Sequence, residues 1–325
     1  MLRLIRTEFR RFFHRRIFAY GLIGVILIVG IAMFSTYNGS KPPTASELAQ
    51  AQEQVDQEKA WAEEYLAPGG QCEQEAEEYG EDPAQMCAAW EVPTVNDYLW
   101  RMTFDDFGPI TQSGLATLLM FFALAVGISF ITAEITSGSL SNWLTFAPRR
   151  MQVYLSKAVV LTVIAAVVGA IFQAVIFIGL RSIAVTNDAL GPDPQKTTEH
   201  MLQAGWRITA VIVIAALIGY VVGLVARHAA VGMGAVVLVA LVDPIVVALF
   251  SSGWRFTVTP RITAWINGEY AVYDESLCTV AWAREEACDP QQVVLTQGQA
   301  GWQLLALTAV LLVIGALVMK RRDAA

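Results

Sequence analysis

The stretch EITSGSLSNWLTFAPRRMQVYLSK, residues 134–157, decides the fold because it separates two long apolar runs. The runs cover residues 113–133 and 158–180, and each has about the 20 residues that a helix needs to cross a bilayer. The connection carries three basic residues and one acid: Arg149, Arg150, Lys157 and Glu134. Short basic connections lie on the cytoplasmic side of a membrane, so this pattern predicts a cytoplasmic loop in a polytopic membrane protein.

A short surface helix is expected inside this loop. Gly138 and Pro148 bracket residues 139–147, which are enough for about two helical turns. One side of this helix would be apolar, because Leu140, Trp143, Leu144 and Ala147 recur at i, i+3, i+4 and i+7. Such a surface is unfavourable in water, so we expect a partner protein to cover it.

The composition and charge balance support a membrane protein. Hydrophobic residues make up 55% of the chain and charged residues 16%, which is typical of membrane proteins. The segments expected in the cytoplasm hold thirteen basic and three acidic residues, a charge of +10. Because the whole chain has a net charge of −7, the remaining segments carry −17. This asymmetry places both termini in the cytoplasm, and it explains the basic residues without nucleic-acid binding.

The apolar runs divide the chain into successive sections. These are a basic amphipathic helix at 1–16, a first span at 17–37, an acidic extracytoplasmic cap at 38–107, spans two to five at 108–250 with the cytoplasmic loop 134–157, a segment at 251–301 that dips into the outer leaflet before an external loop, and a sixth span with a basic tail at 302–325. An outer loop is expected at 181–205. Thr44 and Glu47 form a possible capping box, which predicts a helix running to about Leu66.

All four cysteines fall in segments assigned to the outer side, where disulfides persist. Three pairings are possible. The pairs Cys72–Cys87 and Cys278–Cys288 close the shortest loops at the least entropic cost, so we favour them. Metal binding is the weaker alternative, because the chain has no Cys-x-x-Cys pair with a nearby histidine. No metal site is therefore expected.

The stretch around residues 134–157 resembles the connection between the second and third spans of ABC transporter type-2 permeases. Members of that family carry an acid leaving the span, a small Gly-Ser/Thr step, a Leu-containing helix, a Pro with a basic residue, and a Lys entering the next span. The matching positions are Glu134, Gly138, Ser139, Leu140, Leu144, Pro148, Arg149 and Lys157. Many members have Arg directly after the acid, where this chain has Ile135.

The resemblance implies an all-α polytopic fold with six transmembrane helices. It adds an N-terminal elbow helix, a cytoplasmic coupling helix at 139–147 and two re-entrant helices near 252–268. It implies the membrane subunit of a bacterial ABC exporter in the cytoplasmic membrane, with a second permease copy or homologue as its dimer mate. Coupling to the ATPase would involve Glu134, Gly138, Leu140, Trp143, Leu144, Pro148 and Arg149. ATP and Mg would be bound by separate cytoplasmic ATPase subunits.

Catalytic motifs are absent from the sequence. There is no G-x-x-x-x-G-K-[ST] for ATP phosphates, and the three histidines do not pair with a serine or cysteine at membrane depth. We therefore do not expect an enzyme, and no cofactor is expected in this chain.

One acid lies well inside a span, which marks a possible substrate path or gate. Asp243 and Gln173 lie at similar depth on different spans, and Arg207 near the outer end of its span could reach the acid. A purely structural polar pair remains the alternative. The alternative for the whole protein is a non-transporting sensor or scaffold with an extracytoplasmic ligand-binding cap. An intramembrane protease is a more distant alternative.

Overall fold

The computed structural model describes residues 2–13, 15–80, 82–87, 93–99, 101–139, 150–250, 252–273 and 292–321. Within these residues, six helices are long and apolar enough to cross a membrane: α2 (Arg16–Gly39), α7 (Phe104–Thr136), α8 (Arg150–Thr186), α9 (Pro194–Ala226), α10 (Ala229–Leu249) and α12 (Gln297–Arg321). The other elements are α1 (Leu2–Phe13), α3 (Ala45–Tyr65), α4 (Gln71–Tyr79), α5 (Pro83–Met86), α6 (Val95–Tyr98), α11 (Thr259–Asn267), β1 (Glu269–Tyr273) and β2 (Gln292–Thr296). The predicted all-α polytopic class with six spans is confirmed.

The core of the membrane region is built from α7, α8 and α9. Glycines let the backbones of α7 and α9 touch: a Cβ added to Gly127 would lie 2.2 Å from the carbonyl oxygen of Ala216. A Cβ added to Gly219 would lie 2.3 Å from the carbonyl oxygen of Leu124. Small residues at a helix crossing are a common means of close packing in membranes. This crossing fixes the frame on which the other helices lie.

The helices α2, α10 and α12 lie outside this frame. Only 11% of the most apolar window of α10 is buried, compared with 61% of that of α9. Large side chains on α10 such as Leu238 and Leu241 remain mostly exposed. A helix that is apolar on all sides needs lipid or another helix around it, so α10 faces one or the other.

Two spans begin earlier than their apolar runs suggested, because polar residues start them. The Asp106 carboxylate accepts hydrogen bonds from the backbone nitrogen and the hydroxyl of Thr103 at the start of α7. Asp193 caps α9, with Pro194 in its first turn. The outer loop predicted at 181–205 is therefore wrong in extent, since α8 continues into it and α9 begins within it.

The cap contains the two local features that were expected from the sequence. Glu47 accepts a hydrogen bond from the Thr44 backbone nitrogen at 2.7 Å and donates its own backbone N–H to the Thr44 hydroxyl at 3.3 Å, so the capping box is confirmed. The Cys72–Cys87 disulfide is also formed. Cys278 and Cys288, the other expected pair, lie outside the described residues.

A short antiparallel hairpin follows α11 and was not predicted. Glu269 pairs with Thr296, and Tyr273 pairs with Gln292. The strands are five residues each, and 18 residues outside the described part of the chain separate them. So long a separation gives no hairpin signal, because hairpins are recognised by turns of two to five residues.

Candidate functional site

Four charged side chains meet where the loop between α7 and α8 joins the core. Lys157 Nζ lies 2.7 Å from Glu8 Oε2 and 2.7 Å from Glu134 Oε2, and Arg15 Nη2 lies 2.7 Å from Glu134 Oε1. We call Glu8, Arg15, Glu134 and Lys157 the ion cluster. Three of them, Glu8, Glu134 and Lys157, are almost completely buried. Two acids and two bases leave the cluster with no net charge.

Glu8 enters the cluster because α1 is amphipathic. It is the single acid of α1, and it shares the buried side of that helix with Phe9 and Phe12. Phe12 packs against Phe18 on α2 and Phe130 on α7, with ring centroids 4.8 and 5.4 Å apart. This aromatic contact presses α1 onto the core and brings the Glu8 carboxylate to Lys157.

Arg15 enters from the break between α1 and α2, where its backbone is extended. Its guanidinium also donates to the Ser129 carbonyl at 3.0 Å and lies 4.8 Å from the centroid of the Phe130 ring. Burial lowers the pKa of the Arg15 guanidinium, while the carboxylates of Glu134 and Glu8 raise it. Arginine nevertheless stays charged, because its ordinary pKa lies far above neutrality.

The cluster lies where α1, α7 and α8 meet. Glu134 lies two residues before the end of α7, and Lys157 lies in the second turn of α8. Gly138, with φ of 69°, ends α7 and turns the chain toward residues 140–149, which lie outside the described residues. The cluster thus links the end of α7 to the start of α8, on either side of the loop, and links both to α1.

The predicted coupling residues are only partly described. Glu134 and Gly138 lie at the end of α7, as stated above, whereas Leu140, Trp143, Leu144, Pro148 and Arg149 lie outside the described residues. Their role stays a prediction. Sequence reasoning missed Glu8 and Arg15 as members of the site. A lone acid on a basic amphipathic helix was the available signal for Glu8.

The residues proposed for a gate do not form one group. Asp243 accepts backbone hydrogen bonds from Val258 at 2.7 Å and from Thr259 at 2.9 Å, so it caps the N-terminus of α11. Arg207 Nη1 donates to the carbonyl of Ile266 at 3.0 Å, at the other end of α11. An acid at the N-terminus and a base at the C-terminus both suit the helix dipole. The two residues therefore hold α11 between α10 and α9.

Gln173 has a different partner. Its Oε1 accepts a hydrogen bond at 3.0 Å from Nε2 of Gln112 on α7, and the same Gln112 nitrogen donates to the Met201 carbonyl. Both glutamine side chains are buried. The pair joins α7, α8 and α9 within the core, which agrees with the structural alternative for Gln173. Among the residues that the structure describes, no group of three His, Cys, Asp or Glu side chains could hold a metal ion.

The fold and the site together define a polytopic membrane protein in which a buried ion cluster joins the amphipathic helix α1 to the two helices that flank the loop between α7 and α8. A family model described as ABC-2 family transporter protein matches residues 2–324, nearly the whole chain, and the chain belongs to this family. It is thus the permease component of an ABC transporter, a class of membrane transport component that associates with an ABC ATPase. Comparison with curated proteins and with solved structures gave no match.

Proposed function

We propose that this permease exports an amphipathic substrate, such as a drug, a peptide or a lipid-linked molecule, across the bacterial cytoplasmic membrane. A separate cytoplasmic ATPase subunit binds ATP and Mg and supplies the energy. The ion cluster is the observation that carries the proposal. It ties the cytoplasmic loop to α1, α7 and α8 through contacts of 2.7 Å. A loop so fastened can pass a push from an ATPase into the membrane region.

The mechanism begins at residues 139–147, which act as the coupling helix. In this proposal Leu140, Trp143 and Leu144 contact the ATPase, and Pro148 and Arg149 belong to the same coupling segment. Closure of the ATPase around ATP moves this helix. Glu134 and Lys157 flank the loop, so their helices α7 and α8 move with it. Glu8 and Arg15 follow because each is paired with one of these two residues.

The outer end of the path responds through α11. This helix is held at its two ends by Asp243 on α10 and Arg207 on α9. A relative shift of α9 and α10 must therefore tilt or displace α11. We assign α11 to the outer gate on this ground, with Asp243 and Arg207 as the residues that position it. For Gln173, the hydrogen bond from Gln112 within the core supports a packing role rather than the role in a gate that the sequence suggested.

Two permeases face each other in the complete transporter, either two copies of this chain or this chain and a homologue. The weak burial of α10 and α2 supports this arrangement, because a partner permease could cover part of those faces. The charge asymmetry supports cytoplasmic termini and an extracytoplasmic cap. Cysteines introduced at Ser139 should resist a membrane-impermeant thiol reagent in intact cells, and cysteines at Gln50 should react. The opposite pattern would invert the assignment.

The direction of transport is tested with inside-out membrane vesicles that contain the permease and its ATPase. A fluorescent amphipathic amine should enter the vesicle lumen when ATP is added, and it should not do so with a hydrolysis-deficient ATPase. ATP-dependent release from right-side-out cells should follow the same pattern. Uptake into cells that depends on ATP would contradict the export proposal.

A sensor or scaffold with a ligand-binding cap remains the second candidate. The acidic cap and its small helices are the observation that favours it. The two candidates differ in turnover. The exporter purifies with an ATPase that hydrolyses ATP faster when substrate is present, whereas the sensor recruits its partner without transport.

A further inference from the structure

The cap has a strongly negative field. Residues 41–99 contain fourteen acidic and two basic residues, a net charge of −12. Such a surface concentrates cations from the medium around it. Charge alone does not define a binding site, however, and a site needs a shaped surface with specific contacts. The cap provides one on a single face of α3.

A groove of about 480 Å³ runs along that face and is lined by Gln54, Gln57, Glu58, Trp61 and Tyr98. Its volume lies within the range of roughly 300–1,000 Å³ that is usual for small-molecule sites. The four residues from α3 recur at i, i+3, i+4 and i+7, so they stand on one side of the helix. The fifth, Tyr98, comes from α6, and the groove is shallow and open to solvent. The groove therefore combines two aromatic rings, one carboxylate and two amides.

The polar and aromatic groups of the groove are held in place. The Tyr98 hydroxyl donates to the Glu58 carboxylate. Trp61 stacks on Tyr65 with ring centroids 4.8 Å apart and an angle of 15° between the rings. The Tyr65 hydroxyl in turn donates to Glu75 on α4 at 2.7 Å, and the Cys72–Cys87 disulfide anchors that helix. A site whose side chains are already ordered loses less entropy on binding.

We propose that this groove binds a small organic cation of the quaternary alkylammonium class. Aromatic faces attract such cations, and a neighbouring carboxylate adds a direct charge interaction. A single carboxylate among amides and rings does not suit a metal ion, which needs several oxygen ligands. Trp61 is 46% exposed, so part of it is accessible to a ligand from solution. The inference goes beyond export, because binding at the cap requires neither the ATPase nor transport.

The test uses the full-length protein in a neutral maltoside detergent, since phosphatidylcholine headgroups would compete. Calorimetry compares choline with 3,3-dimethylbutan-1-ol, which has the same shape without the charge. Choline should bind, and the neutral alcohol should bind at least about tenfold more weakly. Glu58→Gln should weaken choline binding by roughly three- to thirty-fold, and Trp61→Leu by a similar factor. Both variants should keep the wild-type melting temperature and disulfide.

Glu63→Gln is the matched control, because Glu63 is an exposed acid of the same helix that does not line the groove. It makes the same change in net charge and should leave choline binding within about twofold of wild type. Equal losses in the Glu58 and Glu63 variants would show a diffuse charge effect and overturn the site. Equal binding of choline and the neutral alcohol, or no binding of choline, would also overturn it. None of these outcomes depends on export.

Discussion

Replacing Lys157 with methionine tests the ion cluster most severely. Lys157 Nζ contacts both Glu8 and Glu134, at 2.7 Å each. Methionine keeps the length of the side chain but leaves two buried carboxylates with Arg15 alone. Removing one partner of a buried ion pair usually costs about 3–5 kcal/mol, because the remaining charge loses its compensation. We expect the Lys157→Met variant to lose about this much stability, mainly by release of α1 from the core.

The assay is a cross-link between α1 and α8, together with thermal unfolding in detergent. Cysteines placed on the facing sides of the two helices should cross-link rapidly in the wild type and much more slowly in Lys157→Met. Adding Glu8→Gln and Glu134→Gln to Lys157→Met removes the uncompensated charges and should restore most of the stability. Lys320→Met, at the exposed end of α12, is the control and should change neither measurement. Wild-type cross-linking and melting of Lys157→Met would refute the reasoning.

Three further predictions concern other regions. Asp243→Asn removes the charge that caps α11, so its hydrogen exchange should rise by roughly tenfold or less, as expected for a lost helix cap; unchanged exchange would remove Asp243 from the gate. Hydrogen bonds from Thr44 lower the pKa of the Glu47 carboxyl below its ordinary value of 4.5. The capping box should therefore stabilise α3 above pH 4.5, and this stabilisation should be lost as the pH falls through the lowered pKa. Circular dichroism should show this loss in the wild type and not in Glu47→Gln. Trp143→Asp should release the ATPase in a pull-down while membrane insertion persists, and retention of the ATPase would count against a coupling helix at 139–147.

The sequence predicted the features that depend on local patterns. Apolar runs of bilayer length gave the six spans, Thr44-x-x-Glu47 gave the start of α3, and the close spacing of Cys72 and Cys87 gave a disulfide. Each of these signals is contained within a short window. The N-terminal starts of α7 and α9 were missed because their first turns contain polar residues. Hydropathy identifies only the apolar part of a helix.

The site could not be predicted in the same way. Glu8 pairs with Lys157 across 149 residues, and Arg15 pairs with Glu134 across 119 residues. Such pairs depend on how α1 docks on the core, which no local pattern encodes. The role of Asp243 was open for a related reason. Its depth in a span suggested a functional acid, but the backbone groups that it caps belong to a later segment.

Transmission of ATPase motion through Glu134 is the central claim, and one measurement tests it directly. The permease and its ATPase are purified as a complex, reconstituted, and assayed for ATP-dependent export and for bound ATPase. Glu134→Gln keeps the shape of the side chain but removes the charge that pairs with Arg15 and Lys157. The claim predicts that this variant retains the ATPase and loses most export, whereas Glu199→Gln, an exposed acid on α9, loses neither. Export at the wild-type rate by the Glu134→Gln complex would contradict it.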